Sequence, residues 1–128
     1  MITNFEIETC PLTSDELESV NIVCDALAIA TNKSPIKSDR LCQKLNQQGL
    51  IKFRMTGVRL RKITNYIRSN GILPIIATSS GYFTSYDKSE IELQIRSLNE
   101  RADAIRNSAE GLKAFLKWDT DLFGYLLK

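Results

Sequence analysis

Histidine is absent from this 128-residue chain, and with it go Ser-His-Asp and Cys-His catalysis and every metal site built on an imidazole. No Walker motif, no G-x-G-x-x-G and no dense carboxylate cluster takes its place. The sequence therefore points away from an enzyme and carries no signature of a cofactor or a metal. Cysteine is scarce. Cys10, Cys24 and Cys42 are odd in number and widely spaced, a pattern that supports neither a disulfide framework nor a zinc site and reads as three reduced, small apolar side chains. No apolar run approaches the roughly 18 residues that span a bilayer, and the first 32 residues lack the basic start of a secretory signal. The expectation is a cytoplasmic protein with no membrane partner.

Positive charge is missing from one stretch and negative charge is scarce in the next. Residues 1–32 hold six acids (Glu6, Glu8, Asp15, Glu16, Glu18, Asp25) and no Lys or Arg, whereas residues 33–70 hold ten bases against the lone Asp39. A basic block of this density marks a surface for polyanions, usually nucleic acid. The alternative is a solvated helical face with the acidic segment folded against it.

The local signals describe helices. Thr13-Ser14-Asp15-Glu16 is a capping box, and Leu17, Val20, Val23, Leu27 and Ala30 follow at three- and four-residue spacing, which predicts a helix over about 14–31. After Pro35, Ile36 offers a short strand. Ser38 is placed to cap a second helix that buries Leu41, Cys42 and Leu45 and stops at Gly49. Thr56 is placed to cap a third, with Leu60, Ile63 and Ile67 as its buried stripe and Gly71 where a left-handed residue is wanted. At roughly 100° per residue, Val58, Arg61, Lys62, Asn65 and Ser69 then point away from that stripe, with Arg59 and Arg68 on the flanks. Ile72–Thr78, the turn Ser79-Ser80-Gly81 and Tyr82–Tyr86 read as a β-hairpin whose Pro74 confines its strand to an edge.

The order is that of a winged helix-turn-helix. The run Val58-Arg59-Leu60-Arg61-Lys62-Ile63-Thr64-Asn65-Tyr66-Ile67-Arg68, then Asn70-Gly71, Ser80-Gly81-Tyr82-Phe83 and Ile91 through Leu98 to Arg101, resembles small winged-helix proteins of bacteriophages and mobile elements. The resemblance covers about residues 36–112. It implies a mainly α fold with a small β-hairpin (α+β), in which the winged helix-turn-helix is followed by a long C-terminal helix. It also implies regulation of transcription or of replication initiation. Two departures stand out: Gly49 to Met55 separates helices two and three by about seven residues where three or four are usual, and the wing tip has no Lys or Arg. The first predicts a tucked-in turn or short strand at Leu50-Ile51-Lys52-Phe53, and the second argues against minor-groove insertion.

A second capping box, Asp87-Lys88-Ser89-Glu90, opens a helix in which Ile91, Ile95, Leu98, Ala102, Ile105, Ala109, Leu112 and Leu116 keep an a/d register, with Gly111 as a point of weakness. This stripe packs either on helix one or on a second copy of the chain; a homodimer is the expectation. The last eleven residues, from Trp118, are strongly apolar and dock either on the same dimer or on another protein. Residues 1–86 are thus read as the winged-helix domain and 87–128 as the dimerisation helix and tail.

On this reading the partner is double-stranded DNA. Arg61, Lys62 and Asn65 are the candidates for base edges, because Arg and Lys pair with guanine and Asn with adenine. Arg40, Lys44, Lys52, Arg54, Arg59 and Arg68 would hold phosphates. The alternative from another class is a protein-interaction adaptor that uses the same scaffold without DNA.

Overall fold

The structure, a computed structural model, describes residues 10–118. They fold as α1 (Ser14–Ala28), α2 (Ser38–Gln48), α3 (Gly57–Ser69), β1 (Ile75–Thr78), β2 (Gly81–Thr84) and α4 (Lys88–Trp118). This is a mainly helical α+β chain with one antiparallel hairpin and a long C-terminal helix. Among the described residues no helix is long and apolar enough to cross a membrane.

The first capping box forms as the sequence predicts. Thr13 Oγ1 accepts from the Glu16 N–H at 3.2 Å, and Glu16 Oε1 accepts from the Thr13 N–H at 2.9 Å. Helix α1 ends earlier than expected because Thr31 and Ser34 close an antiparallel turn on each other through two backbone bonds. Its buried side is also rotated: Glu16 and Ser19 point inward with Val20, Val23 and Leu27, while Leu17 is exposed.

In α2 the expected Leu41, Cys42 and Leu45 are buried. The cap position is Lys37 and not Ser38, which is the first helical residue, and Lys37 makes no side-chain cap. Gly49 closes the helix at φ 67°, the left-handed region that only glycine adopts without strain. The segment to α3 forms bends and no strand. Ile51 and Phe53 tuck against the core while Leu50 stays exposed. Asn46 fixes the end of this segment, donating from Nδ2 to the Met55 carbonyl at 3.0 Å and accepting the Met55 N–H on Oδ1 at 2.7 Å.

Thr56 caps α3 through Oγ1, which accepts the Arg59 N–H. At the other end the Ile72 N–H reaches the Ile67 carbonyl and the Gly71 N–H reaches that of Arg68. This double closure with a left-handed glycine satisfies carbonyls that a helix end leaves open. In the hairpin Ile75 pairs with Thr84 and Thr78 with Gly81. On the other edge of β2, Ile36 exchanges two backbone bonds with Tyr82 at 2.8 and 2.9 Å, so the short strand expected after Pro35 is a single bridge. Gly81 is required there: a Cβ on it would lie 2.6 Å from the Ile36 carbonyl carbon and oxygen. Leu27, Leu41, Leu45, Leu60, Ile63 and Ile75 form the centre of the core.

The chain divides into two compact units between Ile91 and Glu92. Ile91 packs with Ile36 against the small cluster of Ala30, Ile76 and Phe83, and Glu90 Oε1 accepts from Asn32 Nδ2 at 2.9 Å. Glu90 is therefore engaged elsewhere, and the second capping box is half-formed. Asp87 Oδ1 accepts the Ser89 and Glu90 N–H groups, while the Asp87 N–H donates to Ser85 Oγ. In the second unit α4 continues through Gly111 to Trp118, and Ile95, Ile105, Leu112 and Leu116 are all exposed by half or more. Residues 119–128 of the apolar tail lie outside the described residues.

Candidate nucleic-acid interface

The nine polar residues singled out in the sequence do not share one surface. Lys62 departs furthest from expectation. Its side chain is 7 % exposed and its Nζ donates to Glu16 Oε1 at 2.7 Å, with Glu16 itself 1 % exposed. The isolated-helix reading turned Lys62 outward, but α1 packs against α3 and covers that flank, burying Thr64 as well. Lys62 is thus a structural cation and no reader of base edges. Burial works to raise the Glu16 carboxyl, and the bonds from Lys62 and Thr13 together outweigh it, holding the pKa below the usual carboxylate value.

Two more bases turn to α1. Arg59 lies with its guanidinium carbon 4.7 Å from the centre of the Phe53 ring and its Nε 3.7 Å from Glu16 Oε2. Lys52 pairs with Glu18 at 2.9 Å on the exposed side of α1, and that carboxylate pushes the ammonium pKa up. Lys52 thereby ties the bent segment to the acidic helix, and both bases are engaged with α1 carboxylates rather than turned to the groove.

The remaining residues fall into two groups. Between α2, the start of α3 and the hairpin lies an open groove of about 900 Å³, lined by Lys37, Ser38, Asp39, Gln43, Gln47, Arg54, Gly57, Thr78 and Ser79, with the buried Cys42, Met55 and Tyr82 also facing it. Arg61 is exposed on α3 and runs back along this side, its Nη1 3.6 Å from where a Cβ on Gly57 would sit. Asn65 is exposed one turn further on and shares its face. Arg40 and Lys44 instead line a smaller hollow of about 550 Å³ against Ala26, Ile29, Ser34 and Pro35. Arg68 is half-buried near the end of α3.

Gln43 and Gln47 were missed by a reading that looked for charge. Their signal is modest: two amides four residues apart on α2, each with donors and an acceptor suited to base edges or peptide groups. Asn46 between them is committed to Met55. Burial pushes the Cys24 and Cys42 thiols up, with Asp25 and Asp39 adding to it, so both are poor nucleophiles. No protein-family model matches the chain, and neither does any curated protein or solved structure.

Proposed function

We propose that the chain is a cytoplasmic regulator that binds double-stranded DNA as a dimer, as the winged-helix resemblance implies for a phage-like element. The observation that carries this reading is the exposed pair Arg61 and Asn65 on α3, whose first turn borders a groove that presents the amides of Gln43 and Gln47, the hydroxyls of Ser38 and Ser79, Arg54 and one acid, Asp39. In this reading Arg61 and Asn65 meet base edges, with Gln43 and Gln47 as further donors, and Arg40, Lys44, Arg54 and Arg68 hold phosphates. The hairpin tip, Ser79 and Ser80, carries no charge, so in this reading it stays outside the minor groove.

Selection of bound duplexes from a random pool tests this, followed by a salt titration on the selected site. Four phosphates held per protomer, eight per dimer, correspond to a log–log salt slope of about −7, against about −11 if Lys52 and Arg59 took part as well. Arg61→Ala and Asn65→Ala are expected to weaken binding at particular bases by about 1 to 3 kcal/mol each, whereas Lys44→Ala and Arg54→Ala weaken every duplex alike. Equal losses on all duplexes would remove α3 as the reading element.

A protein-interaction adaptor is the second reading, favoured by one observation. Glu16 and Glu18 already occupy Lys62, Arg59 and Lys52, so much of the basic block is neutralised within the fold. Absence of any salt-dependent binding to duplex DNA would favour the adaptor.

A further inference from the structure

We propose that two copies of α4 pair antiparallel, with Ile95 of one copy facing Leu112 of the other. The proposal rests on the dimer half of the function above and specifies its geometry. The second copy is the occupant because the exposed stripe is complementary to itself in one orientation and not in the other.

The register makes Ile95, Ala102 and Ala109 a positions and Leu98, Ile105 and Leu112 d positions. Ile91 is excluded from the seam because it packs in the core of its own unit. In a parallel pair each residue meets its own copy. Ala102 would face Ala102 and Ala109 would face Ala109, leaving two thin layers between thick ones. In an antiparallel pair a faces d. Ile95 then meets Leu112, Leu98 meets Ala109, and Ala102 meets Ile105, so each alanine is opposed by a large side chain and the seam has even thickness.

Charge selects the same orientation. The flanking e positions are Glu92, Asn99, Arg106 and Lys113, and the g positions include Arg101 and Ser108. Parallel pairing brings g of one helix to the next e of the other, setting Arg101 against Arg106 on both sides of the seam. Antiparallel pairing brings e to e, which sets Glu92 beside Lys113 at both ends and Asn99 beside Arg106 in the middle. Lys113 is bonded to Glu110 at 2.8 Å in its own helix, yet its side chain is 64 % exposed. An ammonium with three donors can hold both carboxylates.

The test uses full-length Ile95→Cys and Leu112→Cys, each alone and mixed in equal amounts, oxidised and digested, with linked peptides identified by mass spectrometry so that the native cysteines are told apart. Both positions are exposed in the protomer, so the first unit is left intact. Antiparallel pairing is expected to yield disulfides between the two variants at least tenfold faster than disulfides within either alone, because identical positions would be about 26 Å apart, far beyond the 4.4 to 6.8 Å Cα separation a disulfide spans. Glu92→Lys is expected to raise the dimer dissociation constant roughly tenfold, and adding Lys113→Glu to restore it. Faster linking within Ile95→Cys alone, or no rescue by the second charge change, would overturn the orientation and leave the dimer standing. A monomer on sedimentation would overturn the pairing and the dimer half of the function together. An antiparallel dimer that ignores DNA would leave the pairing intact and remove the DNA reading alone.

Discussion

Replacing Lys62 by Met is expected to destabilise the fold severely while leaving the base preferences of the folded protein unchanged. The ammonium and the Glu16 carboxylate are 7 % and 1 % exposed and 2.7 Å apart. Removing one partner strands the other: Glu16 would keep the Thr13 N–H at 2.9 Å and an Arg59 Nε at 3.7 Å. Breaking a buried pair in this way costs about 3 to 5 kcal/mol. Arg59, close enough to move in, places the expectation at about 3 kcal/mol, or some 12 to 24 °C in the midpoint of thermal unfolding for a domain of this size. Combining Lys62→Met with Glu16→Leu removes both charges, and apolar replacement of a buried pair is often close to neutral. The double variant still loses half of the α1 capping box, about 1 kcal/mol, and so should lie far nearer to wild type than the single. Circular dichroism melts of the four proteins give the coupling, and duplex titrations below the lowest transition give the affinities. A Lys62→Met protein that melts within a few degrees of wild type but discriminates bases poorly would refute the structural role and return Lys62 to the DNA-facing side.

The same pair sets a pH dependence. Because the folded carboxyl of Glu16 lies below its ordinary value, its contribution is fully present above the unfolded carboxylate pKa and is lost as pH falls through the folded one. Denaturant unfolding from pH 6 down to pH 3 should therefore show a loss of stability that Glu16→Gln flattens; an unchanged slope would contradict it. Gly81→Ala should destabilise by more than about 2 kcal/mol, since its Cβ meets the Ile36 backbone at φ 128°. Gly49→Ala, with nothing within 4 Å, should lose only the left-handed penalty of about 1 to 2 kcal/mol. Chemical denaturation ranks the two, and equal losses would discredit the Ile36 contact. Ile95→Glu with Leu98→Glu should give a folded monomer by sedimentation, because an unpaired carboxylate in an apolar seam costs several kcal/mol. A double variant that unfolds would place these side chains in the core of the protomer.

Signals with a range of one or two helical turns were readable in the chain. The Thr13 and Thr56 caps, the left-handed Gly49 and Gly71 and the Leu60–Ile63–Ile67 stripe each depend on residues within seven positions of one another. The failures have a common cause in tertiary packing. A helical wheel treats α3 as buried on one side, but α1 covers a second flank, so Lys62 and Thr64 are enclosed although they sit opposite or beside the stripe. Leu17 is exposed because the neighbouring turn of α1 turns Glu16 inward to meet a lysine 46 residues away. Ile91 continues the heptad pattern without a break, yet Ala30, Ile76 and Phe83 already surround it. No local period distinguishes it from Ile95.

The charge blocks illustrate how little a segment total says about an interface. Residues 33–70 carry ten bases, but the acids that precede them are the ones that α1 lays along α3 and the bent segment, and Glu16 and Glu18 withdraw Lys62, Arg59 and Lys52. The withdrawn bases all lie toward α1. Arg54 lines the groove, Arg40 and Lys44 line the hollow between α1 and α2, and Arg61 and Asn65 are exposed on α3. A polyanion approaching the groove therefore meets a field much narrower than the sequence suggests. Under the proposed function, selectivity would come from a few directed donors rather than from bulk attraction, so substitutions at Arg61, Asn65, Gln43 and Gln47 are the ones that separate a sequence-reading protein from one that is merely basic.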